Sequence, residues 1–319
     1  MSKGIQYMHR NPRPFLALAA GIAVLSCASV QPALAQGTPW ISEPETGSVS
    51  VTFANQRATE FFRADTATKG PLAATDAHLS QSTLWFGVNY AFTDAVAIDI
   101  QSAWARSFLP GPVGPTPEES FSGLGDSNIA VTWRIVDEYV SDAPSVAIRG
   151  ALIAAGNYET GYINSLGDGG HGFEGSVIAG KFWQHAGFSA ELGYRFRGST
   201  EINEMAVGGT MGDVDIPADV FFNLSAFVPV NDVLTLGVDY QMVNATDGID
   251  IGGPGFSPSR FPALEEDIHL IGGRLLANVT DVISLNVFGG QVVAGRNTAK
   301  SRVIGVGATF AFGGGGLGL

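Results

Sequence analysis

The residues best placed to act on a solute are charged side chains that alternate with apolar ones along predicted strands. Alternation puts them on one face of a sheet, opposite the apolar residues. In chain order they are Glu60, Asp99, Asp126, Arg134, Arg149, Glu191, Arg195, Arg197 and Asp239. Around an enclosed space, mixed charges like these would either create a transverse field that orients a polar solute or form a salt-bridged network that packs the interior. Asp99 and Arg134 fall near the same end of neighbouring strands, so we expect them to be able to pair.

Catalysis would need a nucleophile or a carboxylate beside a histidine. Outside the first 35 residues, the histidines are His78, His171, His185 and His269. His171 has Asp168 and Glu174 nearby in sequence, and His78 has Asp76, but neither lies in a recognisable nucleophile motif. We therefore expect no enzyme, and an outer-membrane hydrolase stays a distant alternative.

The long connections between the predicted strands are rich in carboxylates, which are oxygen ligands of the kind that calcium prefers. These residues are Glu118, Glu119, Glu201, Glu204, Asp213, Asp215, Asp247, Asp250, Glu265, Glu266 and Asp267. They could bind calcium, or reach lipopolysaccharide phosphates through divalent cations. None follows the ordered spacing of a calcium loop, so we expect solvated loops with no metal and no cofactor.

The elements that must hold these side chains are strands of about ten residues. The clearest is residues 188–196, where Phe188, Leu192 and Phe196 alternate with polar residues such as Glu191 and Arg195. Alternation of this kind predicts half-buried antiparallel strands. We count twelve of them, with ten or fourteen as the alternatives.

Three predicted turns share one pattern, in which an aspartate at a tight reversal precedes a strand with apolar residues at every second position. The aspartates are Asp94, Asp232 and Asp281. Short turns between alternating strands indicate an up-and-down antiparallel sheet. We expect each aspartate to form the turn by bonding to its own backbone.

The connections alternate between short and long, which a soluble β-sandwich, the alternative fold, does not do systematically. The short ones are 93–94, 137–144, 184–187, 231–232 and 280–281; the long ones are 63–80, 105–122, 156–171, 198–218 and 244–266, with 295–300 of modest length. Short periplasmic turns and long extracellular loops are typical of outer-membrane barrels. The prediction is an all-β protein, a transmembrane up-and-down antiparallel β-barrel over residues 47–312.

Residues 1–35 read as a cleaved signal peptide, with a basic start, an apolar core and a small-residue cleavage site at 33–35. A membrane anchor and a lipoprotein attached at Cys27 are the alternatives; the apolar run is shorter than the ~20 residues that a spanning helix needs. Cleavage removes the single cysteine and leaves 14 basic against 30 acidic residues, a formal net charge of −16. Such a charge disfavours nucleic acid and anionic headgroups as partners.

Both ends of the predicted barrel carry short extra segments. Residues 36–46 form a periplasmic N-terminal segment that either plugs the lumen or hangs free. Residues 313–319 form a glycine-rich tail after Phe310 and Phe312, which we expect the barrel-assembly machinery to read. Outer-membrane lipid and lipopolysaccharide are the expected surroundings, in the outer membrane of a Gram-negative bacterium.

A Gly-Leu-Gly-Asp sequence at residues 123–126 leads directly into an alternating strand, and a strand–loop–strand unit follows at 146–161 and 169–183. This order resembles the outer-membrane family associated with the meta-pathway of phenol degradation, which is itself similar to hydrophobic-solute channels of the fatty-acid and toluene transporter type. That family has a Pro and a Gly-Asp where this chain has Ala-Ala-Gly-Asn at 154–157. The resemblance implies passive uptake of small apolar or aromatic solutes. A structural or adhesive barrel with a plugged lumen is the alternative.

Overall fold

The computed structural model describes residues 37–64, 78–110, 118–183, 185–202, 211–257 and 259–313. The strands of its main sheet are β1 (Thr46–Ala58), β2 (Leu79–Ala91), β3 (Val96–Leu109), β4 (Glu119–Leu124), β5 (Ser127–Val136), β6 (Ser145–Ala154), β7 (Gly172–Trp183), β8 (Ala186–Arg197), β11 (Asp219–Pro229), β12 (Leu234–Ala245), β13 (Asp267–Asn278), β14 (Ile283–Arg296) and β15 (Arg302–Gly313). A separate hairpin pairs β9 (Ser199–Ile202) with β10 (Gly212–Asp215). The short 3₁₀ helix Phe261–Ala263 lies between β12 and β13.

The main sheet closes on itself as a twelve-stranded antiparallel barrel. Each strand pairs with its sequence neighbour around the ring, β1 pairs with β15, and the β2–β3 pairing completes the circle. The strands β4 and β5 count as one, because both pair with β3 and are separated only by Gly125 and Asp126. The predicted fold class and the count of twelve are confirmed. No helix in the described part of the chain has the length and apolar character needed to cross a membrane.

Alternation of side chains gives the barrel an apolar outer face and a mixed inner face. In β5, Ile129, Val131 and Trp133 are exposed, whereas Ala130 and Thr132 between them are buried. The same pattern recurs along the other strands and leaves a continuous apolar exterior. A closed sheet with such an exterior satisfies every backbone hydrogen bond internally, which is what a lipid environment requires.

Three turns at the same end of the barrel have one hydrogen-bond pattern, and its acceptor is not the predicted aspartate. Thr93 Oγ1 accepts from the backbone N–H groups of Ala95 and Val96 at 3.1 and 3.0 Å. Asn231 Oδ1 and Thr280 Oγ1 do the same in the other two turns. The structure therefore assigns the turn-closing side chain to the residue before each aspartate.

The aspartates themselves occupy the exposed middle positions of these turns. No side-chain hydrogen bond of Asp94, Asp232 or Asp281 is seen in the described part of the chain, although the backbone carbonyl of Asp94 accepts one from Arg134 Nη2. The structure thus corrects the expectation that each aspartate bonds to its own backbone. A polar residue at either of two adjacent positions can bond to a turn backbone, and the sequence pattern alone does not choose between them.

Candidate functional site in the barrel lumen

A buried ionic network crosses the lumen wall formed by β6, β7, β8 and β11. Glu174 accepts hydrogen bonds from Arg149 and from Arg195, the latter at 3.3 Å. Arg195 also lies 3.6 Å from the carboxylate of Asp219. Neighbouring strands place these side chains next to one another, since inward-facing residues in register are adjacent across a sheet. The network keeps buried charges of both signs paired.

A second ionic cluster lies where β4 and β5 are interrupted. Arg197 Nη1 is 2.6 Å from Asp126 Oδ2, and the Tyr158 hydroxyl donates to Asp126 Oδ1 at 2.6 Å. Arg197 also donates to the carbonyl of Gly169 at 3.2 Å. Tyr158 and Gly169 belong to the loop after β6, so this cluster ties that loop into the mouth of the barrel.

Glu191 is buried among neutral donors rather than beside a direct cationic partner. It accepts from Ser176 Oγ at 2.7 Å, from Asn223 Nδ2 at 3.0 Å and from the backbone N–H of Gly37 at 3.0 Å. The last of these bonds brings the N-terminal segment into the lumen, against the same wall that carries the ionic network.

The third ionic site joins β12 and β13. Arg274 donates to Asp239 Oδ1 and to Ser225 Oγ, both at 2.8 Å. Its guanidinium carbon lies 6.0 Å from the ring centroid of Phe227. Arg274 and Asp239 thus form an ion pair whose guanidinium lies over the aromatic ring of Phe227.

Three residues of the predicted charged face lie apart from these networks. Asp99 lines the lumen and accepts from Asn89 Nδ2 at 2.7 Å. Arg134 lies at the turn end of β5 and pairs with Asp137 at 2.9 Å, so the expected pairing of Asp99 with Arg134 is not formed. Glu60 lies beyond the end of β1, where Lys300 Nζ is 2.8 Å from its carboxylate.

The opposite side of the lumen holds an apolar cluster beside mostly neutral polar side chains such as Gln56 and Thr83. A cluster of buried side chains extends over β1–β3 and β13–β15 and includes Trp85, Leu270, Phe288 and Val292. Phe288 packs directly over Gly305, where a Cβ atom would lie 2.2 Å from the ring. The lumen therefore has one ionic wall and one wall built around an apolar cluster, which we call the apolar wall.

Residues 37–45 enter the lumen and reach the wall opposite β1. The Trp40 ring packs against Phe182 and Phe227, with centroid distances of 4.5 and 5.8 Å. Its Nε1 donates to Glu138 Oε1 at 2.6 Å. A Cβ on Gly180 would lie 2.7 Å from the Trp40 ring, so the absence of a side chain there makes room for the tryptophan.

A cavity of about 150 Å³ remains between this segment and the two walls. Its aromatic lining comes from Trp40, Trp85 and Phe227, and its charged lining includes Arg149 and Arg274. Serine, threonine, asparagine and glutamine side chains supply most of the rest. Asp99 also lines the cavity, which thus offers an aromatic surface, charges of both signs and neutral hydrogen-bonding groups to one small molecule.

In the loops beyond the strand ends, histidine and carboxylate side chains make contacts within the loops themselves. His171 Nδ1 accepts from the backbone N–H of Ala155 at 3.2 Å, so this nitrogen serves the loop conformation. Arg296 neutralises Asp250 and Glu265 at 2.9 and 2.7 Å. No group of three or more metal-ligating side chains is found in the part of the chain that the structure describes.

Several lumen residues were not predicted from sequence. Sequence proximity places Glu174 beside His171, whereas in the structure it bridges two of the predicted arginines. Asp219 falls at the first position of β11, and Arg274 interrupts a strand that looks apolar on both faces. A signal did exist for Glu174, because a strand already predicted to face buried arginines needs carboxylates on its neighbours.

Comparison with known proteins shows the fold. No family model matches the chain, and no curated protein matches it in sequence. An outer membrane channel from Pseudomonas putida F1 is similar in structure, with a TM-score of 0.69 at 12% identity, over 86% of this chain and 98% of that one. The β domain of the Bordetella autotransporter Brka gives a TM-score of 0.50 at 12% identity, over 84% of this chain and 100% of that one. The barrel is therefore of the outer-membrane type.

Proposed function

We propose that this chain is a passive outer-membrane channel for small apolar or aromatic solutes. The observation that carries the proposal is the cavity of about 150 Å³ between an ionic wall and an apolar wall inside a closed barrel. A molecule with an aromatic ring fits the surfaces of Trp85 and Phe227, while the guanidinium of Arg274 faces a polar substituent. Flux follows the solute gradient and needs no cofactor and no covalent step.

The N-terminal segment supports a narrow, controlled pore. Trp40 holds residues 37–45 across the lumen through an aromatic cluster and a hydrogen bond to Glu138. The segment lines one side of the cavity, so a solute that passes must move beside it or displace it. Removing it widens the path and leaves the Arg149–Glu174–Arg195 network in place, while Glu191 loses the backbone donor of Gly37.

Purified full-length protein in planar bilayers and in swelling liposomes tests the proposal. We expect measurable flux of small aromatic solutes, and a rise in conductance on deletion of residues 37–42 or in Trp40→Ala. Trp104→Ala is the matched control, because Trp104 is exposed on the outer face of β3 and its loss should leave conductance unchanged.

A structural or adhesive barrel is the second candidate, and the segment in the lumen favours it. On that alternative the ionic network and the N-terminal segment fill the interior permanently. A protein that folds, as judged by heat modifiability on gels, yet shows no conductance with or without residues 37–42, would replace the channel with this function. Hydrolase activity abolished by His171→Ala would instead establish the enzyme alternative.

A further inference from the structure

Three arginines at one end of the barrel face outward rather than into the lumen. Arg57 lies near the end of β1, Arg106 near the end of β3 and Arg302 at the start of β15. All three are exposed, and their strand neighbours Gln56, Ala105 and Val303 are buried. This end of the barrel is opposite to the end that carries the three short turns, so it is the extracellular end.

Strand register brings these arginines together. Arg57 and Arg302 are direct cross-strand partners on β1 and β15. On the other side of β1, Arg106 is opposite Ser82, which is opposite Asn55 in turn. With strands about 4.8 Å apart, Arg106 lies about 10 Å across the sheet from β1. We call this set, Arg57, Arg106 and Arg302, the arginine belt.

The described residues supply no counter-charge to the arginine belt. In the part of the chain that the structure describes, none of its three side chains makes a hydrogen bond or an ion pair with a carboxylate. Most other arginines and lysines described there do pair with a carboxylate, as Arg134 does with Asp137 and Lys300 with Glu60. Like charges directly opposite each other across two strands are destabilising, so an anion bound between Arg57 and Arg302 would stabilise the pair.

The surroundings of the belt identify the kind of anion. Directly below it on the same outer face, Phe53 and Ile304 are exposed apolar residues of the lipid-facing surface. Neutral polar groups lie among the arginines: Asn55 Nδ2 donates to Ser82 Oγ at 3.0 Å, and Gln291 is the cross-strand partner of Arg302. An arginine guanidinium matches a phosphate bidentately. The belt therefore lies where the phosphates of an outer-leaflet lipid meet the barrel.

We propose that the arginine belt is a binding site for the phosphate groups of lipopolysaccharide. The acyl chains of the lipid lie against the apolar face that contains Phe53 and Ile304, and a phosphate sits between Arg57 and Arg302. The site is on the outside of the barrel, so it is independent of any transport through the lumen. It also concentrates positive charge on a chain whose net charge is −13.

The test uses the full chain refolded in detergent without lipopolysaccharide, with binding counted by native mass spectrometry. We expect Arg57→Gln/Arg302→Gln to weaken binding of lipopolysaccharide at least tenfold, and Arg106→Gln to weaken it less. Lys181→Gln is the matched control, because Lys181 lies at the opposite end of the barrel; it should bind as the unmodified protein does. Lipopolysaccharide treated with phosphatase should bind no better to the unmodified protein than to the double variant.

A second measurement tests whether lipopolysaccharide reverses the effect of Arg302→Gln on thermal stability. In detergent alone, Arg302→Gln should raise the heat-modifiability midpoint, because it removes repulsion from Arg57; with lipopolysaccharide present, it should lower the midpoint relative to the unmodified protein. Equal binding by the double variant, or no change of sign for Arg302→Gln, would overturn the proposal. Equal affinity for phosphatidylglycerol vesicles, or full competition by inorganic phosphate, would overturn its assignment to lipopolysaccharide.

Discussion

The two walls of the lumen differ in chemistry although they belong to one barrel. The wall of β6–β8 and β11 joins Arg149, Glu174, Arg195 and Asp219 in one buried ionic network. The wall of β13–β15 and β1–β3 is built around an apolar cluster that includes Phe288, with neutral polar side chains such as Gln56 and Thr83 beside it. Only the ionic wall imposes direction on what it contacts, because a hydrogen bond has a required geometry and an apolar contact does not.

The cavity lies between these two walls of different chemistry. An apolar cluster can pack to high density, whereas an ionic network must keep its partners at hydrogen-bond distance. The cavity forms between the walls, with Trp85 from the apolar wall and Arg149 from the ionic wall in its lining. A ring that lies on one wall can therefore direct a polar group toward the other.

One packing device is common to both walls. A Cβ on Gly193 would lie 2.2 Å from the Phe221 ring, and a Cβ on Gly305 would lie 2.2 Å from the Phe288 ring. In each case an inward aromatic ring covers a glycine on the next strand. On the ionic wall the Phe221 ring also lies 5.5 Å from the guanidinium carbon of Arg195. The walls thus differ in their polar groups more than in their aromatic packing.

The largest effect is expected from breaking the ionic wall at its centre. Glu174→Ala leaves Arg149 and Arg195 buried without the carboxylate they share, and breaking a buried ion pair costs about 3–5 kcal/mol. Guanidinium unfolding in liposomes should show a loss of about 4 kcal/mol. Glu174→Gln, which keeps the shape and hydrogen-bonding oxygen, should lose less. A loss below about 1 kcal/mol in Glu174→Ala would mean that the network does not hold this wall together.

A somewhat smaller effect is expected from breaking the apolar wall. Phe288→Ala opens a cavity beside Gly305 and should cost about 3 kcal/mol, at the low end for such a truncation because the lumen can admit water there. Phe288→Leu keeps most of the volume and should cost less than about 1.5 kcal/mol. The same unfolding assay reports both. If the leucine variant is as unstable as the alanine variant, ring geometry rather than volume decides the packing.

A third effect is confined to the loops above the ionic wall and depends on pH. Burial raises the pKa of Glu266 well above its ordinary 4.5, and the nearby Asp168 carboxylate adds to the rise. The folded loop then holds a proton that the unfolded chain releases, so loop stability is greatest below about pH 4.5 and falls as the pH rises through the folded pKa. Hydrogen exchange of residues 246–266 should therefore quicken with pH beyond the intrinsic rate.

Glu266→Gln should flatten that extra pH dependence. Glu265→Gln is its matched control, since Glu265 is only partly buried and pairs with Arg296 instead. An unchanged slope in Glu266→Gln would assign the titration to another group, of which Asp168 is the first to examine because burial raises its pKa as well.

Sequence periodicity predicts the ionic wall better than the apolar wall. In β8, strict alternation puts Glu191, Arg195 and Arg197 on one face, and all three are buried in the lumen. On β13 and β14, Gly272 faces Gly290 and Gly273 faces Gly289, so neither face is marked by size or polarity. Alternation of side-chain type therefore gives little signal for the inward face in that part of the apolar wall.

Partners across the lumen are harder to predict than faces. Asp99 and Arg134 share a face, but Arg134 lies at the strand end where the nearest carboxylate belongs to the turn, at Asp137. The position of Trp40 depends on the absence of a side chain at Gly180, which lies on a strand far away in sequence. Neither feature has a periodic signal, because each depends on which strands meet in three dimensions.

The smallest loss of stability is expected from the short turns, which lie outside both lumen walls. Thr93 Oγ1 accepts two backbone hydrogen bonds in its turn, whereas Asp94 is exposed beside it. Thr93→Ala should cost about 1 kcal/mol, the usual net value of such a bond, and Asp94→Ala less than about 0.5 kcal/mol. Unfolding of the two variants side by side measures the difference, and Asn231→Ala against Asp232→Ala repeats it in a second turn. A larger loss in the aspartate variants would return the turn-closing role to Asp94 and Asp232. The predicted order makes a local turn bond worth about a quarter of the Glu174 contribution, so the stability of the barrel depends far more on its lumen walls than on the turns that connect its strands.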